Sequence, residues 1–479
     1  MQTRMLRSRV PWMGDTLPGV ALGLWAAAIA LAPSVEWKLS LLAPGIGIAI
    51  LAWTLQRPGR WLYLFFLAAL ALPPLPGPGG DSGIHPAPLA AGIGLFFGLL
   101  RLPVWKHVHG SLPMAFLALV GIFAASSAFA AFYSGPQIAL GSIARVVLFS
   151  IGVYVFCYAR IFDYPEPWPM MRFLFVLATL AAAFACVDFY YQFPAPAGYG
   201  PQFVWLDQGV FRRAQGLFYE ASTLGNFCSF FLTFVMVCLF RPKADSPIAR
   251  AALIGSGAIF AAALIFSYSR GSIVNLLISA SVLLWLRRSS IPLRKGRMIA
   301  VLVGLPMMAA VVVQVVFPAF SSNYWARIIA SVQYVSSSPD SVLSGRLTNW
   351  AFLLKFLGRE PWAAILGIGY KTLPYSDAAG APVVADNTYL QLLVETGVVG
   401  LAAFCALNWA ILRTGLRAAR SATLSSQVAG EWIFCFWAGQ IVQMCSGDLI
   451  TYWRVLPVYF WVLAIAARHD RNECATADH

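Results

Sequence analysis

Charge is scarce in this chain of 479 residues: 11% of positions are Asp, Glu, Lys or Arg, against 59% hydrophobic residues and a mean hydropathy of +0.73. A soluble domain carries about 25% charged residues, so the shortage excludes a soluble globular chain of this length. Carboxylates are scarcer than bases, 19 against 33, and each one is correspondingly informative. The five histidines (His85, His107, His109, His469 and His479) are scattered through loops and the tail, and there is no Asp-x-Asp pair to hold a divalent ion. Cys-x-x-Cys is absent as well. Of 8 cysteines, all but Cys474 fall in apolar segments, which excludes a disulfide framework and a zinc site. No metal and no other cofactor is expected.

The formal net charge of +14 suggests nucleic acid until the positions are read. The bases lie between hydrophobic segments rather than on one polybasic face with exposed aromatics, and nucleic-acid binding is excluded on that ground. The 17 Trp residues fit helices whose ends sit in interfacial belts, where an amphipathic ring is favoured.

What is present is a series of apolar runs long enough to cross about 30 Å of hydrocarbon at 1.5 Å per residue. They fall around 17–34, 39–55, 61–75, 86–100, 112–133, 138–158, 171–191, 216–240, 250–268, 271–286, 298–317, 387–412, 430–446 and 452–467. The stretch PPLPGPGGDSGIHP between the third and fourth runs cannot be helical. The fold class expected is an all-α polytopic transmembrane bundle of about 12–14 spans. Its parts are a cytoplasmic N-terminus (1–16), transmembrane helices (17–317), a large outward loop (318–386), C-terminal transmembrane helices (387–467) and a cytoplasmic tail (468–479). The basic stretch MQTRMLRSRV reads as a cytoplasmic anchor, not a cleaved signal, because further spans follow at once.

Lys and Arg concentrate in alternate segments, such as Arg4, Arg7 and Arg9 at the start and Arg287, Arg288, Arg294, Lys295 and Arg297 further on. Those segments are therefore cytoplasmic, and the loops 192–215 and 318–386 face the other way. No internal repeat is visible, which argues mildly against an alternating-access carrier. Within the long loop, SGRLTNWAFLLKFLGREP predicts an amphipathic helix with Ser344 as a cap candidate and a stop at Gly358 and Pro361.

Arginines on the outward side break the rule. Arg212 and Arg213 precede the 216–240 run, Arg270 sits at a hairpin tip, and Arg145 lies inside 138–158 near its outer end. Charges at membrane depth need a partner or a purpose. A guanidinium fork matches phosphate oxygens, so several converging would make a diphosphate site. The alternative is that each snorkels to lipid headgroups or pairs with an acid such as Asp188 or Glu220. Among the carboxylates, Asp386 stands just ahead of the 387–412 run as an N-cap or a catalytic base, and Glu220 has the same ambiguity. Glu395 lies about two turns into its span and is expected to be neutral, hydrogen-bonded or facing a wet cavity. Gly397 and Gly400 read as a close helix-packing face.

Four segments, in order, now carry a resemblance: RRAQGLFYEASTLGNF, SYSRGS, SGRLTNWAFLLKFLGREPWAAILGIGYKTLP and DNTYLQLLVETGVVGL. With a large outward loop ahead of the fourth, the set resembles the O-antigen ligase and O-antigen polymerase superfamily. The resemblance implies a helical bundle of the GT-C glycosyltransferase kind in a bacterial inner membrane, with its active site facing the periplasm. Arg213 and Arg270 look like the arginines that hold a lipid diphosphate, and Arg346 resembles the loop arginine of the same cavity. Ligases of this family carry His-Asn, nine residues, then Gly-x-x-Gly; here Asn387, Gly397 and Gly400 fit while Asp386 takes the histidine place.

That departure, with Glu220 in the first segment, is more similar to polymerases of O-antigen, capsule or exopolysaccharide repeats. The partners implied are a polyprenyl-diphosphate-linked glycan donor, a glycan acceptor, membrane lipids and a chain-length regulator. The expected catalytic residues are Asp386 and Glu220, with Arg213, Arg270, Arg346, Arg145, Arg212 and Asn387 binding the diphosphate or glycan. A ligase acting on a lipid A core sugar or a protein hydroxyl, and a lipid-linked glycan flippase or solute transporter, are the competing readings.

Overall fold

The computed structural model describes residues 24–57, 59–74, 85–107, 110–161, 167–194, 200–206, 209–288 and 345–468, with isolated positions between 307 and 340. The N-terminal segment 1–16, the tail beyond 468, most of PPLPGPGGDSGIHP and nearly all of the expected 298–317 span lie outside the described residues.

The chain divides into two units, 1–61 and 62–479. In the first, α1 (Val35–Gln56) starts at Ser34, whose hydroxyl accepts the Trp37 amide. The indole of Trp25 donates to the Leu41 carbonyl at 2.8 Å, and Arg60 reaches the Trp53 carbonyl and the Gln56 side chain at 2.9 and 2.8 Å.

The second unit is a multi-pass membrane bundle. Its helices are α2 (Trp61–Ala71), α3 (Pro86–Leu99), α4 (Ser111–Tyr133), α5 (Pro136–Ile161), α6 (Trp168–Tyr191), α7 (Ala221–Leu239), α8 (Arg250–Phe266) and α9 (Arg270–Leu286). After 345 come α10 (Arg346–Arg359), α11 (Pro361–Leu366), α12 (Thr388–Ala418), α13 (Leu424–Gln443) and α14 (Leu456–Ala466). Of the described helices, α4, α5, α6, α7 and α12 are each long and apolar enough to cross a membrane. A short antiparallel hairpin, β1 (Phe203–Leu206) with β2 (Gly209–Arg212), pairs Phe203 with Arg212.

α7 is mostly apolar and sits in the middle of the bundle; 89% of its window is buried. Phe230 stacks at 4.3 Å on both Trp432 and Tyr459, and Phe231 lies 5.5 Å from Phe260. Polar groups cross the same interior. The Asn226 and Asn275 amides both donate to Gln440 and Gln443, at 2.7 to 3.0 Å, and Gln443 donates in turn to Ser272 at 3.0 Å. With no water in hydrocarbon, such groups must satisfy one another, and this set clamps α7, α9 and α13 in one register. At the far end of α13, Glu431 takes Arg241 at 2.9 Å and Arg287 at 2.6 Å, so one buried carboxylate is shared by two guanidinium groups.

Two helix caps differ from the sequence reading. The cap of α12 is Asn387, whose side chain accepts from the Tyr389 and Leu390 amides at 3.1 Å; Asp386 lies one residue outside, at φ 46°. The start of α10 is held by Asp340, which accepts from Leu347 and Thr348 amides at 2.9 and 3.3 Å; Ser344 lies outside the described residues. These bonds, that of the Thr348 hydroxyl first, hold the Asp340 carboxyl below its ordinary range.

α12 is broken at Gly397, at φ 69° and ψ −174°. The break frees the carbonyls of Val394 and Glu395, and the Ile368 and Gly369 amides fill them at 3.0 Å each; Ser126 also donates to the Glu395 carbonyl at 2.8 Å. The Glu395 carboxyl, fully buried, accepts from the Leu373 amide and from Gln391 at 3.2 Å. Gly397 is thus the hinge of a docking site, and Gly400 faces α4, where an added Cβ would sit 3.5 Å from Ile122. At Gly397 a Cβ would lie 2.1 Å from the Ile365 carbonyl oxygen. Gly397→Ala therefore combines a clash with a disfavoured φ, and a loss on the order of 2 kcal/mol or more is expected, seen as a lower melting temperature in detergent.

Candidate functional site

A cavity of about 400 Å³ opens between the loop ahead of α7, the segment 370–386, the 448–454 turn and α5. Its walls include Arg145, Glu220, Lys371, Asp386, Asp448 and Arg454. Four separate stretches of chain supply these charges.

The tandem arginines part company because successive residues of a strand point to opposite faces. Arg212, the last residue of β2, turns to Asp188 of α6 at 2.9 Å and to the Phe193 carbonyl at 3.1 Å. Both side chains are buried, 8% and 0% exposed. Arg212 is therefore engaged in a buried ion pair, and it is not among the residues that line the cavity; nor are Arg213, Arg270 and Arg346. Arg213 goes the other way: its backbone amide donates to Gln202 at 2.8 Å and its Nε to the Ser267 carbonyl at 2.9 Å. That second bond ties it to the turn Ser267–Ser269, which launches α9 with Arg270 as first residue. Burial lowers the pKa of Arg213, opposed by Tyr452 and Glu220 and reinforced by the like charges of Arg346 and Arg270. Three of the sequence-predicted arginines thus lie within electrostatic reach of one another.

Arg346 opens α10 and its Nε contacts Asp386 at 3.2 Å. The same helix holds the neighbouring backbone through Asn349 to the Val384 carbonyl (3.0 Å) and Trp350 to the Ala385 carbonyl (2.7 Å). Its apolar side packs through Leu353 against Ala363, Ile368, Leu373 and Val394, so the segment predicted as an amphipathic helix serves as a brace for 384–386. It ends at Glu360 because a residue before proline disfavours the helical region; Glu360 has φ −122° and ψ 70°.

Glu220 is N-cap of α7 without a capping bond. Its carboxylate accepts from Ser222 at 2.8 Å. Burial pushes its pKa up, with Asp448 and Asp386 adding to the rise and Ser222 and Arg213 opposing it. Arg145 lies over the Tyr375 ring at 4.4 Å and reaches the Lys371 carbonyl at 3.4 Å.

Sequence reading passed over Lys371, Asp448, Arg454 and His85. Lys371 and Asp448 form an ion pair, 5% and 19% exposed, with Lys371 at φ 55°. Arg454 spans the Ala69, Leu72 and Leu217 carbonyls. Burial and the Arg454 charge push the His85 imidazole down to about 3, so it is neutral; its Nδ1 accepts the Ala87 amide at 3.2 Å. A signal existed for Asp448, a carboxylate in the narrow gap between the 430–446 and 452–467 runs. Nothing local marks Lys371 as its partner. Among the described residues no group of three or more His, Cys, Asp or Glu is placed to hold a metal ion.

The fold and cavity define a multi-pass membrane protein with a charged pocket at one end of its helices. Over residues 255–405 the chain matches the family Wzy_C, described as O-antigen ligase, which supports the O-antigen ligase and polymerase family and a role in polysaccharide biosynthesis. The matched region contains Arg270, Arg346, Lys371, Asp386 and Asn387. No curated protein matches the chain.

The two arginines should separate experimentally. Arg212→Ala leaves Asp188 as a buried unpaired carboxylate, and breaking such a pair costs about 3–5 kcal/mol. A marked drop in thermal stability of the purified protein is expected, larger than that for Arg213→Ala.

Proposed function

We propose that the chain is a membrane glycosyltransferase that moves a glycan from polyprenyl diphosphate to a sugar hydroxyl, as a polymerase of lipid-linked O-antigen, capsule or exopolysaccharide repeats at the periplasmic face of the inner membrane. The observation that supports this reading is that Arg270 and Arg346 lie within electrostatic reach of Arg213, while Arg346 is paired with Asp386, a carboxylate of the cavity wall.

The diphosphate is already a good leaving group. Charge develops on its bridging oxygen as the bond to the sugar C1 lengthens, and preorganised guanidinium groups stabilise that charge without moving. On this reading Arg213 and Arg270 take this role, together with Arg145 of the cavity wall. Arg346, tethered to Asp386, closes the loop side. The acceptor hydroxyl must lose a proton as it attacks, and a carboxylate among Glu220, Asp386 and Asp448 takes it. Attack opposite the leaving group inverts the anomeric centre. The arginines carry the charge-neutralising work that a divalent ion does elsewhere, and the reaction is metal-independent on this reading.

Polymerase is preferred to ligase because Asp386 stands where similar ligases carry histidine. The second reading is a ligase that transfers the glycan to a lipid A core sugar or a protein hydroxyl; the family match, described as O-antigen ligase, is compatible with both readings. The two differ in what accumulates: loss of a polymerase leaves single repeats on the lipid carrier, loss of a ligase leaves full-length polymer there.

Removing one donor to a developing oxyanion typically costs about 10²–10³ in rate. Arg213→Ala and Arg270→Ala are expected to abolish chain growth at that scale while the protein still reaches the membrane, measured by sizing lipid-linked glycans from cells. Normal glycan profiles in both variants would return these side chains to structural duty and end the reading.

A further inference from the structure

Three carboxylates face the cavity, and their surroundings differ. Asp386 is bound by Arg346 and its side chain is 42% exposed. Glu220 is bound by Ser222 and its burial favours the protonated form. Asp448 has one oxygen, Oδ2, on the Lys371 ammonium, while Oδ1 is buried and has no hydrogen-bond partner among the described residues. A carboxylate with one oxygen held by an ammonium and the other without a hydrogen-bond partner keeps a lone pair free to accept a proton from a hydroxyl that reaches it from the cavity.

The surrounding structure fixes that geometry. The turn carrying Asp448 is tied to the start of α12, where Thr388 Oγ1 donates to the Gly447 carbonyl at 2.7 Å and accepts the Leu449 amide at 3.4 Å. Thr451 donates to the Asp448 carbonyl at 2.6 Å. Lys371 is held in the left-handed region, which is disfavoured for a non-glycine residue; its φ is 55°. Strain of this kind persists where the surrounding structure enforces it. Here the docking of Gly369 on α12, two residues earlier, supplies the force. The charged and titratable groups facing the pair are Glu220, Glu395, Tyr370, Tyr452 and Arg145.

We propose that Asp448 is the catalytic carboxylate that receives the acceptor's proton, with Lys371 as its positioning residue and Asp386 as the tether of Arg346. This rests on the glycosyl-transfer reading above. In the step, the acceptor oxygen forms a bond to the sugar C1 as its O–H proton passes to Asp448 Oδ1. The bond from C1 to the diphosphate oxygen breaks, and its electron pair leaves on the diphosphate between the arginines. One proton and one bond are exchanged, and no other reactant is needed.

The test replaces the full-length chain in its own cells and follows its native pool of lipid-linked repeats, sized by electrophoresis and mass spectrometry. Transfer is scored as chain growth or as release of polymer from the carrier, so either acceptor class is read. Asp448→Asn is expected to lower transfer by about 100-fold or more, a larger deficit than Asp386→Asn or Glu220→Gln, with Asp448→Glu partly restoring it. Because Asp448→Asn strands the Lys371 charge, the double variant Asp448→Asn/Lys371→Met, which removes both charges, is compared at matched membrane levels. It should remain inactive. Recovery of transfer in the double variant would mean that Asp448 only balances Lys371, and wild-type transfer in Asp448→Asn would exclude it as the base; either result overturns the proposal. Arg213→Ala separates the two layers: if it is inactive while Asp448→Asn is active, only the assignment of Asp448 fails. If deletion of the whole chain leaves lipid-linked glycans unaltered, the glycosyl-transfer reading itself fails.

Discussion

The site depends on a broken helix. In hydrocarbon every backbone carbonyl needs a donor, and the kink at Gly397 leaves those of Val394 and Glu395 without their own helical amides. The amides of Ile368 and Gly369 take that place. A loop that could otherwise drift is pinned through backbone hydrogen bonds inside the bundle. Leaving such a group unmet costs about 1–3 kcal/mol, and two are met here together. Everything downstream inherits this fixed point: Tyr370 stacks on Phe123 at 4.0 Å, Lys371 is turned toward Asp448, and Leu373 donates to the Glu395 carboxyl. Through 373–386 the chain then returns to the start of the same helix.

The second constraint is the cost of charge away from water. Arg212 is matched by Asp188, and Arg241 and Arg287 by Glu431. These pairs lie away from the cavity and serve the bundle. Near the cavity Arg213 feels the like charges of Arg270 and Arg346, with Glu220 opposing them, and Arg346 is paired with Asp386. The polar clamp of Asn226, Asn275, Gln440 and Gln443 lies behind this group and holds α9, the helix that begins with Arg270, against α13.

Much of the architecture was legible in the sequence, since lipid leaves a strong local imprint. Runs such as 171–191 and 250–268 correspond closely to α6 and α8, and the helix in the long loop was visible from spacing and from Pro361. The caps were less legible by one residue or by several. Asp and Asn adjoin at 386–387, and both residue types cap well, so only φ and the side-chain contacts select Asn387. Asp340 reaches α10 from outside the usual cap position, where no local pattern points to it. The β-hairpin went unread for a related reason: its strands are short, and the loop around them carries Pro, Gly and aromatic residues without strict alternation.

By itself the sequence determined the membrane class, the positions of the described spans and the order of the polar segments, because apolar length and the rarity of charge are properties of single stretches of chain. Tertiary structure alone decided which polar residues share a cavity. It sent Arg212 to Asp188 and Arg213 to the Ser267 carbonyl, and it joined Lys371 to Asp448 across 77 positions. A contact of that separation is set by how helices pack and where one of them breaks, and no local periodicity encodes it.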